Sequence, residues 1–135
     1  MVEFSWIPIE IVEIGTMYMP LCDVDIQTKS GQWITFSFKV DSGADLTLME
    51  VDNCYSLGFD LNGCKQIDST SSTDTKFPTF IRKLKMKIGD HVLNDVPVAF
   101  STKPIKTLLL GRFKIFEQFE ICFDGVNKRT ILRHL

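Results

Sequence analysis

From Cys22 to Val40 apolar and polar side chains alternate with a period of two, with one interruption. Cys22, Val24 and Ile26 alternate with Asp23, Asp25 and Gln27, and Ile34, Phe36, Phe38 and Val40 alternate with Thr35, Ser37 and Lys39. Successive residues of a strand face opposite sides, so each stretch predicts a strand with one apolar face. Between them Lys29, Ser30 and Gly31 supply a reversal, because Gly accepts the positive φ that a tight turn requires. The expected product is a β-hairpin that ends at Asp41.

The same period returns twice. Leu84, Met86 and Ile88 alternate with Lys83, Lys85 and Lys87, then Gly89-Asp90 marks a turn before Val96, Val98 and Phe100. The lysine stripe reads as a solvated sheet face. Residues 120–123 and 129–132, around Asp124 and Gly125, predict a closing hairpin. Pro8, Pro78 and Pro97 cannot donate to a ladder, so each is expected at a strand edge, a strand start or a bend.

Helical signals are few. Residues 50–57 allow two turns closed by Gly58, and residues 112–119 space Phe113, Phe116 and Phe119 by three, which reads as core packing. Residues 68–75 are Ser-, Thr- and Asp-rich without an apolar side chain, the composition of an exposed loop. These elements predict a small, mostly antiparallel all-β protein with one or two short helices.

With 135 residues, 44% of them hydrophobic, the chain is expected to form one domain over 1–135 with a sizeable core. A net charge of −2 with fifteen dispersed Lys and Arg argues against nucleic acid as a partner. No apolar run is long enough for a membrane span, and the first fifteen residues hold Glu3, Glu10 and Glu13 but no Lys or Arg. Cys22, Cys54, Cys64 and Cys122 lie far apart, without a CxxC pair or a His at ligand spacing, so buried free thiols are expected and no metal or cofactor. A reducing, cytoplasmic setting follows from that cysteine usage. His91 and His134 stand alone in the sequence and read as surface or structural residues.

The chemistry concentrates where the first hairpin ends. Val40 runs into Asp41-Ser42-Gly43-Ala44-Asp45, and Leu46-Thr47-Leu48-Met49 follows, which places an acidic turn between two apolar strands. Asp-Ser-Gly by itself is a common turn tripeptide whose side chains cap their own backbone. Gly43 permits close backbone approach to the carboxylate, and Ser42 can donate a hydroxyl bond that locks the turn. Further on, Leu108-Leu109-Leu110-Gly111-Arg112 reads as a short apolar strand that ends in Gly and leads into a helix with a basic start.

Taken together, VDSGADLTLM, LLLGR and the intervening Tyr55-Ser56-Leu57-Gly58 resemble the retropepsin family of aspartic proteases, over most of residues 36–123. The resemblance implies a small closed antiparallel β-barrel. It implies Asp41 as catalytic aspartate, Ser42, Gly43 and Ala44 as the rest of the active-site turn, and Asp45 with Arg112 as a supporting ion pair. Leu109, Leu110 and Gly111 match the family's second apolar-Gly motif.

An aspartic protease needs two carboxylates sharing one proton. No second Asp-Ser/Thr-Gly exists here: Asp68-Ser69-Thr70 lacks the Gly and Asp124-Gly125 lacks the hydroxyl residue. The implied enzyme is therefore a homodimeric endopeptidase acting on a peptide or protein substrate held in extended form, with one Asp41 from each copy. Residues 7–14 and 130–135 are expected to pair across the dimer, since they would otherwise be exposed edges. Ser69, Thr70, Ser71, Ser72 and Thr73 are candidates for the tip of a substrate-covering flap, although residues 65–80 contain none of the glycines usual in such flaps. A catalytically silent dimerisation or peptide-binding module of the same fold is the alternative reading.

Overall fold

The computed structural model describes residues 1–71 and 73–135. The N-terminal part contributes β1 (Val2–Ser5), β2 (Ile7–Ile11), β3 (Gly15–Met19), β4 (Leu21–Gln27), β5 (Trp33–Val40) and β6 (Thr47–Glu50). Helix α1 (Val51–Ser56) follows, then β7 (Lys65–Thr70), β8 (Lys76–Ile88), β9 (His91–Ser101) and β10 (Leu109–Leu110). A 3-10 turn, Phe116–Gln118, precedes β11 (Phe119–Asp124) and β12 (Arg129–His134).

The β4–β5 hairpin forms as its alternation requires, with Cys22 opposite Phe38 and Val24 opposite Phe36. Its reversal is closed by the Thr28 N–H bond to Gln32 O at 2.7 Å, with Gly31 at φ +93°. The large sheet runs β4-β5-β10-β6-β9-β8-β7. β8 pairs with β4 as well, through Asp25↔Lys87 and Ile26↔Met86, so the pairings return to the strand where they began. Most are antiparallel, but β10 lies parallel to β5 and β6 parallel to β9.

An irregularity lies beside the return to β4. Leu84 pairs with Val96 but Met86 with Leu93, which leaves an extra residue in β9, and Asp95 takes φ +53° there. Such a bulge bends and twists the ladder, and it adjoins Met86 and Lys87, where β8 pairs with β4 on one side while still paired with β9 on the other. Pro78 and Pro97 stand just outside the stretches where a second neighbour covers their strands: β8 meets β9 from Thr79, and β9 meets β6 from Val98. Pro8 lies in the two-stranded β2–β3 ribbon.

Inward-facing Phe38, Met49, Leu57, Met86 and Phe100 have no accessible surface. Each such side chain contributes about 1.5–3 kcal/mol of burial free energy. Lys83 and Lys85 are exposed as read from the alternation, whereas Lys87 lies over the Trp33 ring at 4.7 Å. Cys22 and Cys54 are buried free thiols, and burial pushes Cys22 up to about 12. Cys122 departs from the expectation: it is exposed on β11.

Other expectations are corrected. Residues 112–119 do not form a helix, because Lys114 takes φ +67° and leaves a single 3-10 turn; Phe119 is buried but Phe113 is exposed. Residues 68–70 are not loop but the end of β7, paired Asp68↔Pro78, Ser69↔Phe77 and Thr70↔Lys76. The terminal strand β12 is not a free edge, since β1 takes one side and β11 the other. Residues 7–14 are not one strand; β2 stops at Ile11 and reverses through Glu13 at φ +69° and Gly15 at φ +116° into β3. The hairpin β11–β12 is closed by Asp124, whose carboxylate accepts from the Asn127 side chain at 2.8 Å, from the Asn127 N–H and from Arg129 Nε.

Two measurable consequences follow. The Asn127 bonds and Arg129 hold the Asp124 carboxyl well below its ordinary value of 3.8. The unfolded chain therefore binds the proton more readily, so this stabilisation is complete above that ordinary value and is lost as pH falls below it. Asp124→Asn should flatten the acid limb of melting temperature against pH and leave the neutral limb sloping as before. At Gly111, an added Cβ would overlap the Leu46 carbonyl and sit 2.7 Å from Thr47 N, all of it backbone. Gly111→Ala should cost about 3 kcal/mol or more in urea unfolding, the upper range for overpacking.

Candidate active site

The acidic turn is positioned by a three-strand interlock. β5 and β6 are joined by residues 41–46 but do not pair with each other; β10 comes from far along the chain and inserts between them. Lys39 N–H bonds Leu108 O at 2.8 Å, and Asp41 N–H bonds Leu110 O at 3.1 Å. On the other side the buried Thr47 hydroxyl accepts from Gly111 N–H at 3.1 Å. The chain then passes under the turn, where Arg112 N–H donates to Ala44 O at 3.0 Å and Phe113 N–H to Asp45 O at 2.9 Å.

Within the turn, Asp41 Oδ1 accepts from Gly43 N–H at 2.9 Å, and Ala44 N–H donates to Asp41 O at 3.2 Å. A Cβ on Gly43 would lie 3.2 Å from that same Oδ1, close enough to push the carboxylate by a few tenths of an ångström. Ser42 is exposed, and among the described residues its hydroxyl makes no hydrogen bond within the chain. The intrachain lock is thus the Asp41–Gly43 bond and not the serine.

Asp45 and Arg112, 67 positions apart, form an ion pair through Asp45 Oδ1 and Arg112 Nη2. Both side chains are largely exposed, at 84% and 52%. An exposed pair of this kind contributes about 0–1 kcal/mol, so the two backbone bonds beneath it carry more of the attachment.

Asp41 lines an open cleft of about 1040 Å³, together with Gly43, Ala44 and Leu109. The opposite wall is the end of the β7–β8 hairpin, where Thr70, Ser71, Thr73, Thr75 and Phe77 face the same space. Of the flap candidates, Ser69 instead shares its hydroxyl with Thr79 at 3.2 Å, and Ser72 lies outside the described residues. The missing glycine is replaced by Asp74 at φ +59°, a conformation Asp tolerates better than most residues. Ser71 Oγ accepts from the N–H groups of Thr73 and Thr75, and Ser71 N–H bonds Thr75 O at 2.9 Å, which fixes the reversal.

Sequence reasoning missed the third wall. Residues 103–107 line the cleft with Lys103, Ile105 and Lys106, and Glu50 Oε1 holds this segment by accepting from Ile105 N–H at 3.2 Å. Met19 and Leu48 complete an apolar floor. The available signal was the polar run Ser101-Thr102-Lys103-Pro104 just before the apolar-Gly motif. His91 and His134, read as isolated, stack with ring centroids 3.7 Å apart, and His91 Nε2 pairs with Gln118 Oε1 at 2.9 Å. Neither lines the cleft.

Among the described residues no helix is long and apolar enough to cross a membrane. The search of curated proteins gives no match. Among solved structures the chain is similar to a retropepsin-like aspartic protease from Rickettsia conorii, with 19% identity and a TM-score of 0.64 over 96% of this chain and 99% of the other. Residues 24–112 match the aspartyl protease family model, a span running from β4 through the acidic turn and the cleft walls to the arginine that follows β10. On that match, together with a retropepsin-like fold, the chain belongs to the aspartyl protease family.

Proposed function

We propose that the chain, as one domain over residues 1–135, is a retropepsin-type aspartic endopeptidase whose working form is a homodimer. The observation that carries this reading is Asp41: one carboxylate per chain, anchored by Gly43 N–H, facing a cleft large enough for several residues of peptide. Two such carboxylates brought to about 3 Å cannot both remain ionised, so the pair keeps one proton. The ionised partner takes a proton from water as the water oxygen attacks the peptide carbonyl carbon. The protonated partner hydrogen-bonds the developing oxyanion. Collapse of the tetrahedral intermediate breaks the C–N bond as a proton passes to the leaving amine, and no covalent enzyme intermediate forms.

The surroundings support a peptide substrate. An extended backbone fits between the Asp41 turn and the Ser71–Thr75 reversal, whose hydroxyls offer hydrogen bonds from above as a flap would. Met19, Leu48, Phe77 and Ile105 give apolar subsites for its side chains. Asp45 and Arg112, with Leu109, Leu110 and Gly111, serve to position the turn and do not touch the reacting atoms in this reading. The buried thiols of Cys22 and Cys54 fit a reducing, cytoplasmic setting.

The test is cleavage of a mixed peptide library by wild type and Asp41→Asn from acid to neutral pH, with the solution mass of each recorded. Wild type should be dimeric and cleave, while Asp41→Asn should stay dimeric and lose at least about 100-fold in kcat/KM, the low end for removal of an acid–base group. Equal cleavage by both proteins would rule out Asp41 as the catalytic group. Two dimers without cleavage would favour a silent dimerisation or peptide-binding module, or a precursor awaiting activation.

A further inference from the structure

Among the described residues, strands β2 and β3 pair with each other only, and form a ribbon that stands apart from both larger sheets. Residues directly opposite one another share a face. Ile7↔Met19, Ile9↔Met17 and Ile11↔Gly15 therefore lie on one side, and Pro8↔Tyr18 and Glu10↔Thr16 on the other. The second face is suited to water: Thr16 Oγ1 donates to Glu10 Oε1, and Lys128 Nζ lies over the Tyr18 ring at 5.3 Å. The first is wholly apolar, yet Ile7, Ile9 and Met17 are each more than 40% exposed, and the tip adds Val12 and Ile14, which are more exposed still.

A free two-stranded hairpin is marginally stable in water, and a contiguous apolar face of this kind marks a docking surface. The location of the face identifies what docks. Met19, its innermost residue, lines the cleft beside Asp41, and Pro20 O, immediately after it, accepts from Val40 N–H at 3.1 Å. The apolar face is thus continuous with the surface that a second copy must cover for two Asp41 carboxylates to meet. A five-residue strand extends about 17 Å at ~3.4 Å per residue, far beyond the ~3 Å that separates paired carboxylates, so a partner at the cleft lies within its reach. Charge agrees at the tip: Glu13 is exposed in the reversal and the ribbon holds no Lys or Arg, while the cleft rim holds Lys39, Lys103 and Lys106. The C-terminal strand does not compete for the role, because both edges of β12 are already paired in its own chain.

We infer that the β2–β3 ribbon is a dimerisation arm whose apolar face, through Ile7, Ile9 and Met17, clasps a second copy of this chain beside the paired Asp41 turns. By two-fold symmetry each copy gives an arm and receives one. This rests on the dimeric-protease reading and specifies what holds that dimer together.

The test compares wild type, Asp41→Asn and the double variant Ile9→Thr/Met17→Thr, which keeps β-compatible side chains and leaves Met19 in place. Sedimentation equilibrium and peptide cleavage are measured over a concentration series, with circular dichroism to verify folding. The double variant should raise the dimer dissociation constant by at least about tenfold, the equivalent of one buried side chain, and regain cleavage when concentrated into the dimer. Hydrogen exchange of wild type supplies a readout independent of any variant: amides of residues 7–19 should gain protection as concentration rises through the dimer transition. A double variant with wild-type mass and cleavage, or arm protection that ignores concentration, overturns the arm and leaves the dimeric protease standing. A higher KM with unchanged dimerisation also overturns it, in favour of a shelf for substrate. A wild type that is monomeric yet cleaves through Asp41 removes the dimeric reading, and the arm with it.

Discussion

The insertion of β10 between β5 and β6 is the constraint on which the site depends. An exposed acidic turn has no hydrophobic burial to hold it, so its position must come from backbone bonds to something rigid. Leu109 and Leu110 supply that support: Asp41 N–H reaches Leu110 O on one side, and Gly111 N–H reaches the buried Thr47 hydroxyl on the other. Burying Thr47 without a partner would cost about 1–3 kcal/mol, so the hydroxyl and the Gly111 N–H satisfy one another. The contact is close enough that only hydrogen fits at Gly111 Cα, where a methyl group would meet the Leu46 carbonyl. The glycine is needed for space and not for a special φ. The visible Asp45–Arg112 pair is secondary to it, being exposed on both sides.

Much of this was legible because the strands flanking the turn each have one buried face, and period-two alternation is then obligatory. Residues 22–40 and 83–100 reported their hairpins, and the single Asp-Ser-Gly with its later apolar-Gly partner reported the two segments of the interlock but not that one inserts beside the other. β7 was missed because it lies at the end of the sheet with one face to solvent and the other to a polar cleft wall, so Asp68-Ser69-Thr70 carries no alternation to read. The helix expected at residues 112–119 failed for a local reason. Phenylalanines spaced by three describe a helical face only if the backbone stays right-handed, and Lys114 does not. The His91–His134 stack and the double pairing of β12 are products of tertiary closure, which places β9 and β12 together across 43 positions.

The flap candidate shows how a geometric requirement can be met by different chemistry. Glycine in a hairpin tip provides positive φ and leaves the backbone bare for ligand contact. Here Asp74 takes the positive φ, and the Ser71 hydroxyl collects two backbone N–H groups that a tighter turn would satisfy internally. The exchange leaves side-chain hydroxyls of Ser71, Thr73 and Thr75 where a glycine tip would show main chain. On the protease reading, a peptide in the cleft would meet a polar roof over an apolar floor of Met19, Leu48 and Ile105. On that reading, discrimination between substrate side chains would fall to the floor, because hydroxyls can bond any extended backbone whatever its side chains.

On the dimeric reading, folding and assembly are separable in this chain. Leu132 at the centre of β12 is 1% exposed and belongs to the same apolar cluster as Phe38 and Phe100. The C-terminal strand is therefore satisfied before any partner arrives, with β1 and β11 on its two edges. A dimer built by exchanging terminal strands would have to break those ladders first, whereas one built on the β2–β3 ribbon breaks nothing and covers surface that is otherwise wet. On the dimeric reading, the chain folds alone as an inactive half-site, and proteolysis begins only where its own concentration brings two halves together. Control of the activity then lies in an association equilibrium set by a few exposed isoleucines and methionines, at no cost to the core.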